Sequence, residues 1–362
     1  MSVTGAVVPG LTGCMMRWRK VTYLLIPLLL AGCGKGPADH HRTLYVFGTL
    51  LEISAYPDQP DRFEQAVGHL DQEFQRLHRQ WHAWRGEGEL VALNRALAAG
   101  EAQAVTTELA ALLQQARRYS SQSEGMFNPA IGRLIALWGF HADEAPAGAP
   151  PSAEVIHELL AAAPGMDDLV IEDSEVSSDN PMVQLDLGAF AKGYALNLAI
   201  DGLRAFGIED AIVNAGGDLC VAGRHGERAW RIGIRHPQGR GVLAAVEVAD
   251  GECVLTSGNY ERYREFEGVR YAHIIDPRSG YPVAHVASAT VISPDGGLAD
   301  AAATALSVAG PQDWRRIARR MAVNQAMLVD AQGRVYVTPA MQARVEFQGE
   351  TPQLSVSELE PQ

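Results

Sequence analysis

β-prone runs and stretches of helical period follow one another along this chain without strict alternation. That order argues for an α+β or mixed α/β fold, read as largely antiparallel sheets flanked by helices, rather than a doubly wound parallel sheet. Apolar, β-prone residues fill 43–56, 169–171, 182–187, 211–213, 230–234, 244–248, 253–256, 269–276, 286–292, 326–330 and 334–338. Residues 61–82 carry Phe63, Val67, Leu70, Phe74 and Leu77 at helical spacing, and 106–121, 153–163 and 189–206 also read as helices. A further helix is expected after Gly297 and another over 313–320. Residues 142–152, rich in Ala, Pro and Gly, read as a loop. No repeat or linker divides 43–345, which is therefore read as one domain, with 346–362 as a frayed polar tail. With 47% apolar and 20% charged residues, the 362-residue chain can bury a core of that size.

The first 32 residues stand apart. Arg17, Arg19 and Lys20 precede an apolar run over 21–30 that is too short to span a bilayer, and Leu30-Ala31-Gly32-Cys33 follows. A basic region, a short apolar region and a small-residue exit make an export signal over 1–32. Cys after Leu-Ala-Gly resembles a bacterial lipobox, in which the Cys33 thiol is lipidated and becomes the new N-terminus. Residues 33–42 then serve as a tether. The expected address is a bacterial membrane surface facing the periplasm, inner or outer. Removal of 1–32 leaves 27 basic against 43 acidic residues, a net charge of −16. Such acidity argues against nucleic acid as a partner. Cys220 and Cys253 could pair in an oxidising compartment, but both lie in apolar, strand-like runs and read rather as buried free thiols. No cysteine or histidine spacing suggests zinc.

Four segments place chemistry-bearing residues where elements begin or end. In 184–194 an apolar run delivers Asp186, and a Gly-bounded turn opens a helix with Lys192 one turn in. Free N–H groups at a helix start attract phosphate, though the glycine spacing matches neither a Walker A loop nor a dinucleotide fingerprint. The alternative is that Asp186 caps the helix and Lys192 is solvated. Asn214-Ala215-Gly216-Gly217-Asp218 is either a turn that lets backbone approach a ligand or a plain hairpin turn. His273 precedes Asp276-Pro277 at a strand exit, a normal place for a general base and equally for a satisfied structural histidine. Asp300 and Thr304 are four apart on an Ala-rich helix and share a face. A carboxylate there is costly unless paired or metal-bound, and a carboxylate with neutral oxygens suits Mg²⁺. The helix dipole offers Asp300 a purely structural alternative.

Phe47-Gly48-Thr49, Glu89-Leu90 with Asn94, Phe127 to Gly132 with Trp138-Gly139-Phe140, Leu185 to Tyr194, Asn214 to Asp218, Thr256 to Arg262, His273 to Gly280 and Ala299 to Thr304 occur in that order. In this arrangement, over roughly 43–340, the chain resembles the ApbE family, the FAD:protein FMN transferases, which include many bacterial lipoproteins. The resemblance implies an ApbE-like, T-fold-like architecture that binds FAD in a cleft with Mg²⁺ at its pyrophosphate. It puts the metal ligands on Asp300, Thr304 and the backbone carbonyl of Ala189. It puts flavin contacts on Phe47, Trp84, Phe127, Asn128, Pro129, Asp186, Lys192 and Ile274. Many relatives carry Met-Gly-Thr where Phe47-Gly48-Thr49 stands, and Ser where Gly88 stands.

The implied reaction moves FMN from FAD to a Thr or Ser hydroxyl of an acceptor flavoprotein and releases AMP. A hydroxyl is a weak nucleophile that needs a base, and His273, with an ordinary pKa near 6.5, is the candidate. Two other readings stand beside it: a pyrophosphatase that splits FAD into FMN and AMP, and a non-catalytic flavin-binding lipoprotein.

Overall fold

Nine strands lie side by side in chain order: His40–Val46, Thr49–Ala55, Ala211–Ala215, Asp218–Ala222, Cys253–Gly258, Val286–Ser293, Ala326–Asp330, Val335–Val337 and Leu354–Val356. All neighbours are antiparallel except the last pair, which is parallel. The structure is a computed structural model describing residues 40–56, 59–142, 144, 146–349 and 352–358. The expected export signal and Cys33 lie outside the described residues. From residue 40 onward those residues belong to one compact unit.

Both faces of the sheet are buried, which is why its central strands read as unbroken apolar runs. Side chains alternate across a strand. Ile53, Val213, Cys220, Leu255 and Val291 point to one core, while Leu219, Val221, Val254, Ile292 and Val329 point to another. The first core is closed by helices Pro60–Trp81, Ala191–Ala205 and Gly296–Arg320. The second is closed by a three-stranded sheet of Trp230–Arg235, Val242–Val248 and Val345–Phe347, which supplies Trp230, Ile234, Val246 and Val248. Helix Gly296–Arg320 breaks at Gly310 (φ 65°, ψ −176°), just before Pro311, so it is two helical segments in succession, as the sequence suggests.

Several expectations are corrected. Residues 43–56 are a hairpin, not one strand: Phe47 (φ 54°) and Gly48 (φ 71°) form the two-residue turn. Residues 182–187 make a single bridge, Ile131 to Gln184, and no strand. The Asn94 side chain takes over the ladder's role there, accepting from Leu185 N (2.7 Å) and donating to Leu185 O (2.9 Å). The strand begun at Val269 ends at Ala272, so His273 lies just beyond it. Helices Glu89–Ala99 and Gly132–Trp138 and strands Glu175–Ser178 and Tyr263–Phe266 add to the expected elements. The segment expected to fray contributes Val345–Phe347 and Leu354–Val356 to the two sheets. Cys220 and Cys253 are not free thiols. Antiparallel register sets them opposite each other, and they form a disulfide.

Candidate active site

The tightest crossing in the fold lies between the first turns of Ala191–Ala205 and Gly296–Arg320. A Cβ on Gly193 would meet Gly296 O at 2.0 Å, and one on Gly296 would meet Gly193 O at 2.5 Å, so only glycine fits either place. This contact brings Asp300 to the start of the other helix. Asp300 Oδ2 accepts the Gly193 N–H at 3.0 Å, one of the donors that a helix start leaves without an intrahelical partner. Burial pushes the Asp300 carboxyl above the ordinary carboxylate range, against the pull of the Lys192 ammonium. One turn on, Thr304 Oγ1 lies 3.2 Å from Ser257 Oγ, at the end of strand Cys253–Gly258. Asp295 caps this helix by accepting from Leu298 N at 2.9 Å.

Lys192 pairs with Asp218, which follows the Gly216–Gly217 hairpin turn. Asp218 is buried and also accepts the Thr256 N–H at 2.9 Å. Burial alone would lower the Lys192 pKa, but Asp218, Asp300 and Glu261 outweigh it and raise it, so the ammonium stays charged. Glu261 faces the same group. The low-dielectric walls of the cleft push its carboxyl up to about 7, with Lys192 opposing the shift and Asp218 adding to it.

Asp186 forms the next part of the site. Its Oδ2 accepts the Trp84 indole N–H at 2.7 Å and its Oδ1 the Gly188 N–H at 2.8 Å. Asn94 holds the backbone beside it from helix Glu89–Ala99, whose first residue follows Gly88. A Cβ on Gly88 would meet Arg79 O at 2.1 Å, which excludes a serine in this packing. Phe47 packs edge-on against Phe74 and His78, each at 5.9 Å.

His273 accepts no charged partner. Its Nδ1 lies 3.2 Å from Arg262 O, and its backbone N–H donates to the same oxygen at 3.0 Å. A carbonyl only accepts, so Nδ1 carries the proton and Nε2 keeps its lone pair. Burial pushes the imidazole down to about 4, not the ordinary 6.5 expected from sequence, so it is neutral at pH 7.

The structure thus brings Lys192, Asp218, Glu261, Asp300 and His273 within electrostatic reach of one another, sets Thr304 one turn along the helix from Asp300, and joins Asp186 to Trp84; Ala189 stands four residues before Gly193. Other expected contacts are corrected. Phe127 is wholly buried and packs edge-on to Phe190 at 5.8 Å, so its ring belongs to the core and cannot stack on a flavin. Ile274 is likewise in that core, leaving its backbone as the part able to meet a ligand. The Asn128 side chain is engaged by Pro164 O and Ala130 N, and Pro129 O accepts from Asp186 N at 2.8 Å. Both shape the loop beneath Asp186. Sequence reasoning placed Asp218, Ser257 and Glu261 within candidate segments but gave none of them a role. Nothing in linear spacing joins Asp218 to a lysine 26 residues earlier; the Gly-Gly turn before it was the one available signal.

The donor set fits a hard cation. Asp300, Thr304 Oγ1 and the Ala189 carbonyl offer oxygens alone, and a buried carboxylate calls for a compensating positive charge. Among the described residues no three His, Cys, Asp or Glu side chains gather to hold an ion unaided. The remaining ligands would be phosphate oxygens and water.

Residues 47–328 match the model of the ApbE family. A FAD:protein FMN transferase from Rhodobacter capsulatus is 49% identical over 308 residues, which cover 85% of this chain and 58% of that protein. The chain thus spans little more than half of that relative's length. A FAD:protein FMN transferase from Vibrio cholerae is 32% identical over 308 residues, covering 83% of this chain and 91% of that protein. Among solved structures, the ApbE protein of Thermotoga maritima superposes with a TM-score of 0.78 at 30% identity, covering 85% of this chain and 99% of that one.

Proposed function

The chain belongs to the ApbE family, and from that membership and the geometry of its cleft we propose that it is a Mg²⁺-dependent FAD:protein FMN transferase. The acceptor is a Thr or Ser hydroxyl of another protein. The new P–O bond forms to the acceptor oxygen, the bridging P–O bond of the pyrophosphate breaks, and AMP leaves with the bridging oxygen.

His273 takes the hydroxyl proton on Nε2, with Nδ1–H held by Arg262 O so that the accepting nitrogen faces the cleft. Lys192 supplies fixed positive charge where phosphate charge concentrates, and Asp218 holds it in place. Trp84 and Asp186, joined by their 2.7 Å hydrogen bond, form the wall on which the flavin is oriented. Asp300, Thr304 and Ala189 hold Mg²⁺, which offsets phosphate charge as a Lewis acid when bound.

The observation that carries this reading is an imidazole oriented by Arg262 O within electrostatic reach of the ion-paired Lys192, which stands beside the buried Asp300 at the helix crossing. A protein that only stores flavin has no use for an oriented base. Incubation with FAD, Mg²⁺ and an acceptor flavoprotein tests it on a denaturing gel. Flavin fluorescence that stays with the acceptor band is the expected result. Free FMN instead marks a pyrophosphatase, and unchanged FAD a storage protein. The address proposed for this activity is a membrane surface facing the periplasm, through lipid on Cys33. The support is the basic–apolar–Leu-Ala-Gly-Cys order.

A further inference from the structure

Phe140, His141 and Ala142 link the two halves of the cleft, and one guanidinium holds them. Arg262 Nη2 donates to Phe140 O at 3.0 Å and to Ala142 O at 2.6 Å, the carbonyls on either side of His141. The Phe140 ring, itself buried, meets the His273 ring edge-on at 6.4 Å. The His141 ring, exposed, tilts against Trp84 at 5.2 Å. The carbonyl of this same Arg262 accepts from His273. Two residues along, Arg264 donates to Ala147 O and Ala149 O, both at 3.2 Å, and continues the grip. The loop so held is rich in Ala, Pro and Gly and brings little apolar surface of its own. Charge-assisted bonds from two arginines add to the burial of Phe140 in holding it.

We propose that Arg262 is a positioning residue: it clasps 140–142 so that His141 backs Trp84 on the flavin wall while Phe140 and the Arg262 carbonyl set the ring of His273. This rests on the reading above of Trp84 as flavin wall and His273 as base, which uses only the backbone carbonyl of Arg262 and gives its guanidinium and His141 no part. Nη2 makes both loop contacts, so a lysine ammonium, with three donors, can reproduce much of the clasp, whereas alanine or methionine cannot.

A double-mutant cycle tests it, with FAD affinity read by flavin fluorescence quenching and the transfer rate by single turnover at saturating FAD. Arg262→Ala should weaken FAD binding about tenfold and slow the saturated rate about tenfold, in line with the loss of a charge-assisted hydrogen bond. His141→Ala should reproduce the binding loss. The double variant should bind FAD no more weakly than Arg262→Ala alone, and Arg262→Lys should recover most of both losses. If Arg262→Ala does not fold, Arg262→Met, which keeps the apolar stem, takes its place in the cycle. Binding losses that multiply in the double variant, or an Arg262 variant with wild-type affinity and rate, overturn the clasp. A wild-type protein that binds FAD yet attaches no flavin to an acceptor overturns the transfer reading instead, and the binding arm of the cycle still decides the clasp.

Discussion

Under the proposed reading the Asp300 carboxylate has two tasks, holding the Gly193 N–H and holding Mg²⁺, and two substitutions separate them. Asp300→Asn keeps an oxygen for the Gly193 N–H, so the fold should hold while Mg²⁺-supported transfer falls by about a hundredfold or more, given that a metal contributes several kcal/mol to such a step. Asp300→Ala also leaves that buried N–H without an acceptor, at a cost of about 1–3 kcal/mol, so it should melt below Asp300→Asn. Full activity of either variant at limiting Mg²⁺ would remove Asp300 from the metal site. His273→Ala should bind FAD normally and transfer FMN at least about a hundredfold more slowly, the usual loss with a general base. Its pH signature has a definite sign. The folded pKa of about 4 lies below the unfolded value near 6.5, so between those values the unfolded chain binds more protons. The part of wild-type stability that depends on His273 is present above about pH 6.5 and is lost as pH falls toward 4. The melting-temperature gap between wild type and His273→Ala should therefore narrow over that window, and a gap independent of pH would show that His273 is not held neutral by burial. The sequence could single out His273 and Asp300 because each stands where an element ends or begins. Phe127 and Ile274 were not, because a ring's burial is decided by distant neighbours such as Phe190.

At the scale of elements, the crossing of Ala191–Ala205 and Gly296–Arg320 sets the site, and its glycines make it testable. In an isolated helix Gly→Ala stabilises by about 1 kcal/mol. Here a Cβ on Gly193 meets Gly296 O at 2.0 Å and must force the helices apart. Gly193→Ala should therefore destabilise by about 1–3 kcal/mol, as overpacking does, and lower the transfer rate as Asp300 and Thr304 shift from Ala189. Thermal denaturation decides it by sign, since a raised melting temperature would mean that the crossing is loose. Both helices could be read from the sequence, the second already as two segments, one after Gly297 and one over 313–320. The hairpin at Phe47–Gly48 was hidden because phenylalanine rarely adopts positive φ. The run over 182–187 looked like a strand because its residues are apolar and β-prone, and only the fold reveals that Asn94 supplies hydrogen bonds that a neighbouring strand would give.

For the whole molecule, the antiparallel α+β character followed from the order of the runs, while the pairing of Cys220 with Cys253 depended on a register that no local pattern specifies. A disulfide suits an oxidising compartment, which agrees with the export signal proposed for 1–32. Cys33→Ser should abolish lipid labelling and release the protein from the membrane fraction; a variant still lipid-modified would place the anchor elsewhere. The central claim is that groups from helix starts and strand ends converge to pass FMN to a protein hydroxyl rather than to water. The most direct measurement is the amount of AMP formed for each flavin that becomes covalently attached to the acceptor, in a reaction supplied with FAD and Mg²⁺. The account predicts a ratio of one, with the attached flavin resistant to denaturation. AMP accumulating alongside free FMN, with no flavin on the acceptor, would contradict it.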